Sequence, residues 1–225
     1  DKLYYKWHLS NGQASLVSAS TNLGAINTML LLNLIYEDGW EDETLNKFYV
    51  PLTYLGAIGS GYLTKNYVSN KSYTEDDAVF IEISSIVGLT NFIFLGNLLE
   101  MEDPKMNQLL LLTSVNGFTY LADKINKNHD LKRGQARIIG LGTFASFMAW
   151  NGIALLMDLD DKNIYLLGDI ISVSAGWFFT HKKISSSNYS SNIGFNKFLN
   201  KVYIKPTFAL YGKNIQPQVQ LKINF

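Results

Sequence analysis

Cysteine is absent from this chain of 225 residues. No disulfide framework and no thiolate metal site can therefore form, and the residue that usually carries a bacterial lipid anchor is missing as well. Charge is also scarce. Only 17% of residues are Asp, Glu, Lys or Arg, well below the globular average of about a quarter, so the chain has little capacity to solvate a large surface. Neither sign is in excess: 19 basic residues face 19 acidic ones. Without a cationic surplus to neutralise phosphates, a nucleic-acid partner is not expected. Asp1 rather than Met opens the chain, as in a chain whose signal peptide has been removed.

What the chain has instead is long uncharged runs, and they repeat. Three stretches begin alike: Ser10–Ala14, Thr74–Ala78 and Asp130–Ala136. Each opens an apolar run of about two dozen residues that ends in acids: Glu37, Asp38, Glu41, Asp42 and Glu43, then Glu100, Glu102 and Asp103, then Asp158, Asp160 and Asp161. A second apolar run follows each cluster and ends in a basic or polar stretch. The spacing is 64 residues from Ala14 to Ala78 and 58 from Ala78 to Ala136. The chain thus reads as three copies of one two-segment unit, at about 10–70, 74–128 and 130–183.

Helix fits these segments better than strand. Ile138 to Met157 is twenty residues without a charge. It does not alternate with period two, as a barrel strand would, and its length matches a membrane span. Helix starts are marked by Ser10 with Gln13, by Thr74 with Asp77, by Asp103 before Pro104, and by Asp161. The expectation is a mainly α protein of three hydrophobic helical hairpins, six membrane-length helices in all, over residues 1–183. A soluble bundle would show apolar stripes, whereas these runs are apolar nearly all round. Val79–Leu99, which holds Glu82, and Ile164–Phe179, which holds Asp169, read as the weakest spans. Charge sorts by end: acids gather at the connections inside each unit and bases at the other end. In an inner membrane the basic end would face the cytoplasm.

Composition shifts after Lys183. Residues 184–200 read as a polar linker. From Lys201 the pattern alternates strictly. Val202, Ile204, Pro206, Phe208 and Leu210 share one face, and after a turn Ile215, Pro217, Val219, Leu221, Ile223 and Phe225 do the same. This predicts a β-hairpin over 201–225. The alternative for the chain as a whole is an all-β outer-membrane barrel.

Ser10–Ala14, Arg133–Ala136, Gly140, Gly142, Gly152 and the terminal Pro206–Phe225 together resemble a loosely defined, largely uncharacterised set of Gram-negative envelope proteins. Those proteins carry Gly-containing repeats and end in an outer-membrane-type strand. This chain departs from the pattern by having fewer glycines in its first two units. The resemblance implies the bacterial outer membrane, with the inner membrane as the alternative, and implies no reaction.

Chemistry-bearing residues are few. Glu82 and Asp169 stand alone inside apolar runs, where ionisable groups are costly and often functional. Asn22, Asn27, Asn91, Asn97, Asn116 and Asn151 recur within the runs and are expected to hydrogen-bond between helices. Gly56, Gly59, Gly117, Gly140, Gly152 and Gly176 fit close helix packing. His8, His129 and His181 lie towards the basic end without metal-ligand spacing. No phosphate loop, calcium loop or nucleophile elbow is present, and neither a cofactor nor an enzymatic activity is expected. Leu3–His8 resembles an interfacial aromatic belt. The expected partners are membrane lipid and other outer-membrane subunits, the latter pairing with the strand positions Val202, Ile204, Phe208, Leu210, Val219, Leu221, Ile223 and Phe225. The expected role is a structural or accessory subunit of an outer-membrane complex; the alternative is a small transporter or channel component using Glu82 and Asp169.

Overall fold

The structure, a computed structural model, describes residues 9–35, 43–126, 130–186, 202–211 and 214–223. The predicted aromatic belt at Leu3–His8, most of the first acidic cluster, His129, most of the linker, and Phe225 lie outside them. The described chain is mainly α-helical. Its helices are α1 (Asn11–Ile35), α2 (Glu43–Val68), α3 (Glu75–Leu98), α4 (Pro104–Asn126), α5 (Gln135–Leu156) and α6 (Lys162–Ser186). They run 22 to 26 residues, or about 33–39 Å at 1.5 Å per residue.

Side chains set the helix starts where the sequence marks them. Ser10 N donates to Gln13 Oε1 at 2.8 Å, and Gln13 N donates back to Ser10 Oγ at 3.3 Å. Thr74 and Asp77 make the same reciprocal pair at 2.7 and 3.1 Å. Asp103 Oδ1 accepts from Lys105 N, and Asp161 Oδ1 from Asn163 N, each at 2.8 Å. These bonds satisfy amide groups that the first helical turn leaves without partners.

The turns inside the second and third hairpins are copies of each other. Glu100 (φ 47°) and Asp158 (φ 50°) both adopt the left-handed conformation. Each is followed by a bond that closes the helix end, from Met101 N to Gly96 O at 3.1 Å and from Leu159 N to Ala154 O at 3.0 Å. Every one of these pairs is offset by 58 residues, the spacing of Ala78 and Ala136. The repeat is thus present in backbone geometry as well as in composition.

Each unit is a hairpin: α1 on α2, α3 on α4, α5 on α6. The central helix is α3, which packs against α1, α4, α5 and α6. The first helix of one unit also meets the second helix of the next, α1 with α4 and α3 with α6. The buried apolar core includes Val68, Phe80, Leu131, Ile139, Trp177 and Ile184, and it gathers towards the basic end. At the acidic end the helices part. Leu155 and Leu156 are exposed there, and an open recess of about 670 Å³ lies among Phe92, Gly96, Glu100, Asn107 and Lys162.

Three helices, α1, α3 and α5, are long and apolar enough to cross a membrane. All are first helices of their units. The outcome reverses one expectation: α3, which holds Glu82, is among the three, so a single acid does not make it the weakest span. The second helices α2, α4 and α6 have the length but not the apolarity.

Residues 188–225 form a separate unit. In it β1 (Val202–Tyr211) pairs antiparallel with β2 (Asn214–Ile223). The register sets Val202 against Ile223, Ile204 against Leu221, Pro206 against Val219, Phe208 against Pro217 and Leu210 against Ile215.

Candidate functional site

The most densely bonded part of the helical unit is the end where the three first helices begin. Gln13 caps α1 and also donates through Nε2 to Val68 O (2.8 Å) and Lys71 O (2.7 Å), tying the start of α1 to the end of α2. Asp77 holds the same position in the second unit. It is 2% exposed, and its Oδ1 accepts from Asn126 Nδ2 at 2.7 Å and Leu131 N at 2.9 Å. A carboxylate buried this deeply is costly unless donors replace water; with Thr74 N it has three. Gln135 repeats half of the motif, accepting from Lys132 N at 2.7 Å.

Neighbouring units are then laced together at this end. Asn11 Nδ2 donates to Glu75 Oε1 at 2.9 Å, Thr74 Oγ1 to Leu131 O at 2.8 Å, and Ala136 N to Asp76 Oδ1 at 3.1 Å. Gly12 permits the approach. A Cβ there would lie 2.2 Å from Tyr73 O and 2.4 Å from Thr74 O, a clash with backbone that cannot swing aside.

Deeper in the bundle, polar bridges recur in register. Asn27 on α1 and Asn116 on α4 exchange two amide bonds at 2.9 Å. Asn91 on α3 donates to Ser174 Oγ on α6 at 3.1 Å. Asn27 and Asn91 are 64 apart, and Asn116 and Ser174 are 58 apart, so these are one bridge used twice. On the two outer faces the matching positions carry no polar group. They are Ile58, 65% exposed, and the exposed Ala149.

The α3–α6 interface adds an aromatic stack. Trp177 lies parallel to Phe80 (centroids 5.8 Å apart, 6° between planes) and edge-on to Phe118 (5.5 Å, 67°). Its indole N–H donates to Ser84 Oγ at 2.8 Å. His181 stacks on Phe80 at 4.5 Å and meets Asn126 Oδ1 at 3.4 Å, joining the Asp77 cluster. Sequence reasoning missed this His181–Asn126–Asp77 set. The only sequence signal for it was the cap residue Asp77.

Glu82 and Asp169 do not share a site. Glu82 is exposed on the outside of α3. Asp169 is 3% exposed between α5 and α6, where Oδ1 accepts from Asn151 Nδ2 at 2.9 Å; Tyr165 OH donates to Asn151 Oδ1. Glu82 lies near the level of Trp177, eight residues from Asp169 on α6, so the acids stand at least roughly 12 Å apart along the bundle. Among the glycines, a Cβ at Gly56 would meet Thr28, one at Gly176 would meet Ser146, and one at Gly140 would lie 3.2 Å from Ile83. Gly59, Gly117 and Gly152 have open space beside them. Asn97 bonds to Ile93 O of its own helix. Among the described residues no group of three or more His, Asp and Glu side chains is placed to hold a metal ion.

A cleft of about 310 Å³ lies between the first and second units. Leu16, Ser20, Leu23 and Thr119 line it, and at its basic end Asp123 accepts from Tyr67 OH (2.5 Å) and Tyr73 OH (2.6 Å). Burial, and then the bond to the Asp123 carboxylate, pushes the Tyr73 phenol well above the ordinary tyrosine range.

Comparison with family models, characterised proteins and solved structures finds no match to this chain. The geometry shows polar groups buried beside the apolar core and large apolar side chains turned outward. Gln13, Asp77, Ser84, Asn91, Asn126, Asp169 and His181 are buried, while Ile58, Leu63, Ile86, Phe144, Ile171 and Phe179 are exposed. Water would favour the reverse.

Proposed function

We propose that this chain is a non-catalytic subunit of a multiprotein complex in a bacterial outer membrane, serving protein secretion, barrel assembly or nutrient uptake as a structural or accessory part. The observation that carries the membrane part is the placement of polarity: amides and acids bonded between helices, with many large apolar side chains turned outward. In hydrocarbon, helices associate through close packing of small residues and interhelical hydrogen bonds rather than through the hydrophobic effect. Gly24 at Ser60, Gly88 at Ser114 and Gly176 at Ser146 are such close approaches, and the asparagine bridges are such bonds.

The β1–β2 hairpin supports the complex. Among the described residues it is a two-stranded sheet, so each strand keeps one edge without a partner. Hydrocarbon does not satisfy such an edge, whereas strand addition to another chain's sheet does. The alternating apolar pattern of the two strands supports the outer membrane. The rival reading, a transporter component using Glu82 and Asp169, rests on two acids that lie in different halves of the bundle.

The test is membrane fractionation followed by native-size analysis in mild detergent. The proposal expects the chain in the outer-membrane fraction, co-purifying with a large barrel protein, and expects that association to be lost when residues 201–225 are deleted. A detergent-extracted monomer from the inner membrane would contradict it.

A further inference from the structure

The internal repeat shows what the cleft between units one and two is shaped to hold. The α3–α6 interface is the same interface one unit further on. With offsets of 64 for first helices and 58 for second helices, Leu16 corresponds to Phe80, Ser20 to Ser84, Thr119 to Trp177, and Asp123 to His181. The register is fixed independently by the bridge of Asn27 with Asn116 matching that of Asn91 with Ser174. Between units two and three the space is filled by the Trp177 indole, lying on Phe80 and donating to Ser84 Oγ. Between units one and two Phe becomes Leu, Trp becomes Thr, and the imidazole becomes a carboxylate turned towards Tyr67 and Tyr73. The serine remains. Ser20 Oγ donates to Val17 O at 3.1 Å, as Ser84 Oγ donates to Phe80 O at 2.7 Å, so each keeps a lone pair for an incoming N–H. The result is the cleft of about 310 Å³, at the lower end of the roughly 300–1,000 Å³ of small-molecule pockets.

We infer that this cleft binds a small planar aromatic molecule carrying an N–H donor, of the indole class, with its ring where Trp177 sits in the next interface and its N–H on Ser20 Oγ. The walls suit a flat apolar ring: Leu16 and Leu23 on α1 and Ile81 on α3 are apolar, and Asn116 closes the inner end. The polar groups are Ser20, Thr64 and Thr119 along the walls, Asn116 at the inner end, and the Tyr67–Tyr73–Asp123 rim. Lys71 is held 3.1 Å over the Tyr67 ring and Lys124 5.5 Å over the Tyr120 ring, so two of the three tyrosine rings that line the cleft already carry a cation. The cleft therefore calls for a neutral ring rather than a charged amine. This reading does not depend on which membrane holds the protein.

The experiment uses the full chain in detergent micelles and 5-fluoroindole as the probe, followed by fluorine NMR. Saturable binding is expected. Thr119→Trp, which rebuilds the residue found one unit on, should abolish it while leaving helix content unchanged and raising the unfolding midpoint. Should that variant fold poorly, Leu16→Phe narrows the cleft from the opposite wall and should weaken binding instead. Ser20→Ala should weaken binding about two- to tenfold, the range of one neutral hydrogen bond. Fluorinated indene, which lacks the N–H, should bind the wild type and Ser20→Ala equally. Indole binding that survives Thr119→Trp would overturn the inference. So would a cleft that takes a spin-labelled fatty acid, blocked by Thr119→Trp, but no fluoroindole; that result would assign it to an acyl chain.

Discussion

Replacing Trp177 tests the packing of the bundle at its most telling point. The side chain makes two ring contacts, with Phe80 and Phe118, and one hydrogen bond, to Ser84. Aromatic pairs contribute about 0.5–1.5 kcal/mol each and a neutral hydrogen bond about 0.5–1.5 kcal/mol. Together these come to about 1.5–4.5 kcal/mol. In hydrocarbon the separated helices still bury the indole in lipid, so the transfer part of a usual core truncation largely drops out, and Trp177→Ala should cost about 2–3 kcal/mol. Trp177→Phe keeps a ring between Phe80 and Phe118 but loses the donor. Ser84 Oγ retains its bond to Phe80 O and is not orphaned, so this change should cost only about 1 kcal/mol. The assay is equilibrium unfolding in mixed micelles followed by circular dichroism, run as a double-mutant cycle with Ser84→Ala. A coupling near 1 kcal/mol is expected. Equal costs for Ala and Phe, or a coupling indistinguishable from zero, would refute the stacked, bonded arrangement.

Three further perturbations read other parts of the structure. Asn27→Leu and Asn116→Leu should show a coupling of about 0.6–1.7 kcal/mol in a double-mutant cycle, the range for polar pairs between membrane helices, whereas Ile58→Leu on the outer face should change nothing measurable. Gly12→Ala should destabilise by about 1–3 kcal/mol, since its Cβ meets backbone, and Gly117→Ala, with open space beside it, should be neutral or stabilise by up to about 1 kcal/mol; thermal midpoints of the two variants separate these outcomes. Glu100→Gly and Asp158→Gly should each stabilise by about 0.5–1 kcal/mol, because a left-handed residue costs about 1–2 kcal/mol and glycine returns part of that as unfolded-state entropy; unfolding curves that shift the other way would show the turns to be held by their side chains.

The helices were legible because their ends carry chemistry. Ser10 with Gln13, Thr74 with Asp77, and Asp103 before Pro104 mark starts with side chains that bond in the structure where the pattern places them. The third start was less visible, since no side chain caps it: Gln135 only reaches back to Lys132 N, and Gly134 supplies the entry with φ 86°. The strength of one span was misjudged, α3, whereas α6 is as weak as expected. Glu82 drew attention away from the apolarity of the rest of α3, and Asp169 marked a helix whose polarity is spread along its length. Which face of each helix turns inward was not legible. A helix that is apolar all round has no stripe to read, so bridges between residues 89 apart, such as Asn27 and Asn116, or 93 apart, such as Ser84 and Trp177, cannot be paired from spacing. The same limit applies to glycine. Spacing puts Gly59, Gly117 and Gly152 beside Gly56 and Gly176 as packing residues, and only the fold shows the first three facing open space.

The absence of cysteine makes the central claim directly measurable, since each introduced cysteine is unique. Spin labels placed one at a time at Ile58, Ile86, Phe144 and Ile171, which are 60–65% exposed at mid-helix, report by electron paramagnetic resonance whether they meet lipid or water in reconstituted bilayers. A bundle embedded in membrane predicts strong relaxation by dissolved oxygen and weak relaxation by a water-soluble nickel chelate at all four sites. Strong relaxation by the nickel chelate at these positions would show that water surrounds the helices and would contradict the membrane assignment.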